Sequence, residues 1–319
     1  MVTPRTPSPK PELPLVGDGT GTVRVAILGP GGVGGLLAGL LARQGDLVTC
    51  LAGDATAAAL RESGITVRSA RFGDFTVPVD TATELDRPPD VCLVTVKATQ
   101  LESAMDRVPR GALRDTLVVP LLNGLEHVAV LRARYPSALV APATIRVEST
   151  RTAAGIIEHT SPFAAIEVAA RPDSATPVRG LADRLQKAGA DVLVRDDETT
   201  MLWDKLVFLA PMALLTTHAA ATIGVVRSDR REELVALVGE IAAVAERLGA
   251  TIDPAAAVAA LDALPETMQS SMQRDAEAGH PIELEAIGGG VVRAAERVGV
   301  DVPVTARLVG DLRARVLGQ

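Results

Sequence analysis

Aromatic side chains are scarce in this 319-residue chain: one Trp, one Tyr and four Phe make up 2% of it. Proteins that grip nucleic acid stack bases on such rings and follow the phosphates with a basic groove. Here Asp and Glu outnumber Lys and Arg by 39 to 32, a net charge of −7, so no nucleic-acid partner is expected. Cysteine is equally sparse. Cys50 and Cys92 make neither a disulfide framework nor a metal cluster, and as small core residues they suit a reducing cytoplasm. His127, His159, His218 and His280 are scattered without ligand spacing, so no metal is expected. The chain also lacks the long apolar opening of a signal peptide or membrane helix. Residues 1–22 instead hold Pro4, Pro7, Pro9, Pro11 and Pro14 among polar residues and glycines, and a disordered tail is expected there. The expectation is a cytoplasmic protein with no membrane partner.

What remains is a chain of 47% hydrophobic and 22% charged residues, long enough for a sizeable core and two domains. It is organised around the stretch from Val23 to Gly35. A branched apolar run, Val23 to Leu28, reads as a strand buried on both faces. It ends in Gly29-Pro30-Gly31-Gly32-Val33-Gly34, and a helix follows through Leu36 to Ala42. Gly29, Gly31 and Gly34 fit G-x-G-x-x-G: a tight turn, room for backbone beside a pyrophosphate, and close helix–strand packing. Together with Gly32 and Val33 at the helix start, they are the expected dinucleotide contacts, since free N–H groups and the helix dipole favour phosphate there.

Strands and helices then alternate. Strands are expected at Leu47 to Ala52, Val91 to Val96 and Thr116 to Leu122, with helices at Ala55 to Ser63, Thr99 to Arg107 and Gly124 to Tyr135. Ile65 to Ser69 and Phe75 to Val79 read as a hairpin inserted into the sheet, and residues 140–170 as antiparallel strands extending its edge. A helix (Thr176 to Ala188) and a strand (Asp191 to Arg195) close the half. Past Asp196 only helices are expected, broken at Gly224, Gly249, Pro254, Pro265, Gly279-His280-Pro281 and Gly299. The fold class is therefore α/β: an N-terminal Rossmann-type doubly wound sheet over residues 23–196, then an all-helical C-terminal domain over residues 197–319 for substrate and dimerisation. The amphipathic run Glu232 to Leu248 reads as domain core or as a homodimer seam.

Ligands of open parallel sheets sit beyond the carboxyl ends of the strands. Lys97 and Asn123 stand at two such ends. Lys97 is either a cation for phosphate or carboxylate, or a solvated loop lysine. Asn123 offers a donor and an acceptor, although Asn123-Gly124 is also simply a good turn. In the helical half, Lys205 has Met201, Leu202, Phe208 and Leu209 as helical neighbours. It either snorkels outward or, held in a cleft, becomes a general acid with a lowered pKa. Glu283 follows Pro281 near a helix start, where an acid also serves as a capping-region residue.

Taken together, the glycine turn, Val96-Lys97-Ala98-Thr99-Gln100, Leu122-Asn123-Gly124, Trp203-x-Lys205-Leu206 and Ser271-Met272-x-x-Asp275-x-x-x-Gly279-x-Pro281-x-Glu283 resemble the ketopantoate reductase family. The likeness runs from Val23 to about Leu312. It implies reduction of a 2-oxo acid, 2-dehydropantoate in pantothenate biosynthesis, by NADPH, with NADH as the alternative. By motif position, Lys205 matches the lysine that protonates the carbonyl oxygen, and Glu283 the glutamate that engages the substrate hydroxyl. Ser271 matches a serine on the substrate carboxylate, while Asn123 and Lys97 match residues bordering nicotinamide and substrate. Five departures follow. Leu209 and Ala213 stand where the family carries asparagines, Ile282 where it has a threonine, and His280 where it has an arginine. These imply a more apolar 2-oxo acid, or an imine. The arginine expected after the second strand, facing the 2′-phosphate, is replaced by Ala52-Gly53-Asp54, leaving Arg61 or Arg68 to supply the charge. A non-catalytic nucleotide binder is the remaining reading.

Overall fold

The computed structural model describes residues 21–317, so most of the expected tail lies outside the described residues. The first half runs β1 (Arg24–Leu28), α1 (Gly32–Arg43), β2 (Leu47–Leu51), α2 (Asp54–Ser63), β3 (Ile65–Ser69), β4 (Phe75–Val77), β5 (Asp80–Ala82), β6 (Val91–Val94), α3 (Leu101–Met105), β7 (Leu117–Pro120), α4 (His127–Arg134), β8 (Ala143–Arg146), β9 (Ser149–Ala153), β10 (Ile156–His159), β11 (Ala165–Ala169), α5 (Ala175–Lys187) and β12 (Asp191–Arg195).

Five strands form a parallel sheet in the order β5-β2-β1-β6-β7. The strand order reverses beside β1, and a crevice opens there at the carboxyl ends. β6 and β7 are buried along their whole length, as their unbroken apolar runs require. On α1, Leu36, Leu37, Leu40 and Leu41 are at most 1% exposed. Burying side chains of that size contributes about 1.5–3 kcal/mol each.

The hairpin expected inside this sheet lies elsewhere. β3 and β4 belong to a second sheet, β4-β3-β10-β9, and residues 140–170 do not extend the main sheet's edge either. Apart from one isolated parallel bridge from Val140 to Val118 of the edge strand β7, they divide between that second sheet and a third, β12-β11-β8. The cause is the far face of α1. Gly32, Gly35 and Gly39 recur at helical spacing there, where added Cβ atoms would strike Ser149, Ile157 and Val67. A helix stripped of side chains along one stripe lets a second sheet close over it, burying Val67 and Ile157.

From residue 198 onward every described element is helical: α6 (Glu198–Ala219), α7 (Ile223–Asp229), α8 (Arg231–Arg247), α9 (Pro254–Asp262), α10 (Ser271–Glu277), a π-helical turn (Glu285–Gly289), α11 (Gly290–Val298) and α12 (Pro303–Leu317). α6 is the axis of this half, about 33 Å long at 1.5 Å per residue. Asp197 caps it by accepting from the Thr200 N–H at 3.0 Å. A separate apolar core of Trp203, Leu206, Leu214, Leu237, Ile241 and Leu308 surrounds it. The break expected at Gly224 falls earlier, at residues 220–222, where Ala220 takes φ 48°. Gly224 stays inside α7 and packs against Glu266. Among the described residues no single helix is long and apolar enough to cross a membrane.

Candidate active site

Between the two halves lies a cleft of about 1800 Å³, larger than the few hundred Å³ that suit a small ligand alone. Gly29, Gly31, Gly32, Val33, Lys97, Asn123, Lys205, Ser271 and Glu283 all line it. Gly34 lies beneath the turn instead. A Cβ on it would sit 2.3 Å from Thr95 Oγ1 and 2.4 Å from the Gly29 carbonyl oxygen. Thr95 in turn donates to that carbonyl at 2.8 Å and to the Leu28 carbonyl at 3.1 Å, pinning the glycine turn to the end of β6. Gly31 caps α1 without a side chain, and no acid occupies the first turn. The first N–H groups of α1 are thus left for an anion. These features fit a dinucleotide pyrophosphate.

Across the cleft stands Lys205, in the second turn of α6. Burial pushes its ammonium down to about 8, against the raising effect of Glu283, with Arg146 adding to the fall. Glu283, 8% exposed, ends just before the turn that starts at Leu284. Its carboxylate accepts from Asn123 Nδ2 at 2.9 Å and from the Ala98 N–H at 2.9 Å. Two groups from strand ends of the nucleotide half therefore hold the carboxylate that faces the lysine of the helical half. His127 is buried on the same side, and burial, then the nearby Lys205 charge, pushes it down to about 4. Neither of its ring nitrogens has a hydrogen-bond partner. A neutral imidazole at that position adds no competing charge.

Lys97 is engaged differently from the sequence expectation. Its ammonium donates to Asp275 Oδ1 at 2.7 Å, so its charge joins the two halves rather than reaching freely for phosphate. Ser271 opens α10 at the cleft wall, next to Ser270, whose side chain accepts from the Gln273 N–H and meets Thr216 Oγ1 at 2.8 Å. Of the two positions that depart from asparagine, Leu209 lines the cleft, whereas Ala213 is 1% exposed in the helical core. Ile282 packs against that core and His280 is exposed.

Five arginines not singled out at the sequence level also line the cleft: Arg107, Arg146, Arg151, Arg195 and Arg274. Arg146 and Arg195 share Glu167, at 3.7 and 3.2 Å, and Arg195 reaches Asp204 at 3.6 Å. Arg146 ends β8, so the rule about strand ends would have found it had that strand been placed. Arg68 pairs instead with Glu158 in the second sheet, and neither it nor Arg61 lines the cleft.

A glycine-turn nucleotide crevice facing a cleft lysine of lowered pKa is an arrangement suited to an oxidoreductase that works with a dinucleotide. The comparisons make this specific. Residues 25–173 match the model of ketopantoate reductase PanE/ApbA and residues 197–316 that of its C-terminal region. The 2-dehydropantoate 2-reductase of Mycobacterium tuberculosis (strain H37Rv) is 32% identical over 302 residues, covering 91% of this chain and 97% of its own. The crystal structure of 2-dehydropantoate 2-reductase from Methylococcus capsulatus superposes with a TM-score of 0.81 at 25% identity, covering 92% of this chain and 97% of its own. D-mandelate dehydrogenase in its ternary structure with NADH and anilino(oxo)acetate shares the fold, with a TM-score of 0.85 at 20% identity and 92% and 99% coverage. The chain belongs to the ketopantoate reductase family, whose members carry out NAD(P)-dependent reduction of 2-oxo acids.

Proposed function

We propose that this protein reduces a 2-oxo acid to the 2-hydroxy acid with NADPH, and that 2-dehydropantoate, giving (R)-pantoate for pantothenate biosynthesis, is the substrate to test first. Residues 23–196 form the nucleotide half and residues from 197 onward the substrate half. The observation that carries the reading is the Lys205 ammonium, lowered to about 8 inside the cleft and facing Glu283.

A nicotinamide held in this cleft would supply the hydride. As hydride reaches the carbonyl carbon, negative charge builds on oxygen, and Lys205 both neutralises it and donates the proton. A pKa near 8 suits the task, because the ammonium is populated at neutral pH yet parts with its proton readily. The Glu283 charge favours the Lys205 ammonium, and its own oxygens are fixed by Asn123 and Ala98. Ser271 offers a hydroxyl to the substrate carboxylate. Arg146, whose guanidinium makes an ion pair at 3.7 Å but no hydrogen bond among the described residues, offers a charged fork beside it. Gly29, Gly31, Gly32 and Val33 would hold the pyrophosphate and Asn123 would border the nicotinamide. Cys50 and Cys92 are free and buried, and burial pushes both thiols up to about 12, as suits inert core residues.

A second reading of the substrate rests on the cleft wall. Phe208, Leu209 and Met212 of α6 face it, together with Ile252, Ala256 and Ala260 on or beside α9. These surfaces favour a 2-oxo acid with a larger apolar side chain. The test is purified protein with 2-dehydropantoate, phenylglyoxylate or 4-methyl-2-oxopentanoate and either nicotinamide nucleotide, followed by loss of reduced-nicotinamide absorbance. Turnover of 2-dehydropantoate well above the others supports the first reading, and preference for the bulkier acids the second. No oxidation with any of them leaves a non-catalytic binder.

A further inference from the structure

We propose that Arg107 is the residue that recognises the 2′-phosphate of NADPH, taking the place of an arginine after β2. The inference rests on the nucleotide reading above. Dinucleotide folds tell the two cofactors apart just past the second strand: a carboxylate there takes a ribose hydroxyl, and an arginine takes the phosphate. In this chain the position after β2 holds Ala52-Gly53-Asp54. Asp54 is exposed and does not line the cleft, whereas Gly53, Thr56, Ser103 and Arg107 do. The charge presented at that end of the cleft is positive.

Arg107 comes from the turn after α3, yet its guanidinium is fixed at the end of β2. Nη1 donates to the Ala52 carbonyl at 3.2 Å and to the Thr83 carbonyl at 2.9 Å. Its own carbonyl accepts from the Leu85 N–H at 2.8 Å, so backbone and side chain are both anchored. Nη2 has no acceptor among the described residues. It lies 3.7 Å from where a Cβ on Gly53 would stand, so the absent side chain leaves the approach to it clear. Several arginines of this half spend their charge on carboxylates, among them Arg68 on Glu158, Arg71 on Asp191, Arg132 on Glu198 and Arg184 on Asp46. Arg151 of the cleft lining has no carboxylate partner among the described residues, but it lies on β9, away from the end of β2. Arg107 has no such partner among the described residues. A pre-organised planar fork, uncompensated and half-buried at the adenosine end, is suited to a phosphate monoester. The hydroxyls of Thr56 and Ser103 and the uncapped start of α2 add neutral donors around it.

The experiment is calorimetric titration of the full chain with NADP⁺ and NAD⁺, for the native protein, Arg107→Leu and Arg107→Lys. Competition by 2′,5′-ADP and 5′-AMP runs alongside. Loss of charge-assisted hydrogen bonds to a phosphate should weaken NADP⁺ by about 10- to 100-fold in Arg107→Leu, with NAD⁺ changed by less than about threefold. The 2′,5′-ADP affinity should fall in parallel while that of 5′-AMP holds, and Arg107→Lys should keep part of the NADP⁺ affinity. Equal weakening of both nucleotides would make Arg107 a mere tether for the loop after β2 and overturn the proposal, as would unchanged NADP⁺ affinity. Native protein that binds neither nucleotide removes the cofactor reading itself, and this inference with it.

Discussion

The two halves meet the ligand in different ways. At the proposed pyrophosphate site the nucleotide half offers backbone: glycines at a strand end, free N–H groups of α1, and a turn pinned by Thr95. The helical half works through side chains, above all Lys205, whose acidity is set by what surrounds it. Backbone sites tolerate change around them but not within them, because a single Cβ blocks the approach. Side-chain sites fold without their key residue and lose only the chemistry.

That contrast can be broken at several points. The largest effect is expected for Lys205→Ala, which should lower kcat by about 10²- to 10⁴-fold while NADP⁺ binding, measured by titration, stays intact. Equal loss of binding would put Lys205 in the cofactor site and erase the distinction. Next comes the glycine turn. Gly34→Ala should weaken both nucleotides more than tenfold and cost about 1–3 kcal/mol in stability, read by denaturant melts, because its methyl meets Thr95 and the Gly29 carbonyl. A variant that binds and melts as the native protein does would show that the turn yields.

The pH dependence is a finer probe. The acid must be protonated, so kcat should be flat below a pKa of about 8 and fall up to tenfold per pH unit above it. Glu283→Gln removes the negative charge that raises the Lys205 pKa, so this limb should move to lower pH. A limb that stays in place would mean that Glu283 does not act on the lysine. The smallest effect belongs to Lys97→Ala. Its pair with Asp275 spans the cleft but is 42% exposed on the lysine side, so stability should fall by less than about 1 kcal/mol. A large drop in nucleotide affinity instead would return Lys97 to the phosphate.

Much of the nucleotide half was legible because its signals are local. Strand, glycine turn and helix occupy one stretch of 20 residues, 24–43, and the alternation of apolar runs forecasts the parallel sheet. The second and third sheets were not legible, since the pattern of residues 140–170 says that strands exist but not which neighbour they choose. The glycine stripe on α1 was in plain view, but its meaning depends on β3 and β10 arriving from elsewhere. Arg107 and Arg146 escaped notice for the same reason. One lies 55 residues from the carbonyl that anchors it, and the other ends a strand whose limits periodicity could not set.

By itself the sequence determined where the backbone turns and exposes its N–H groups, because glycine placement acts within one turn of chain. Only the tertiary structure brought the Lys205 pKa down to about 8, since that rests on desolvation by packed helices, opposed by the nearby Glu283. Glu283 in turn is held by Asn123 and Ala98, 160 and 185 residues away along the chain. Electrostatic free energy depends on distance and burial in space, and neither is written in the order of residues.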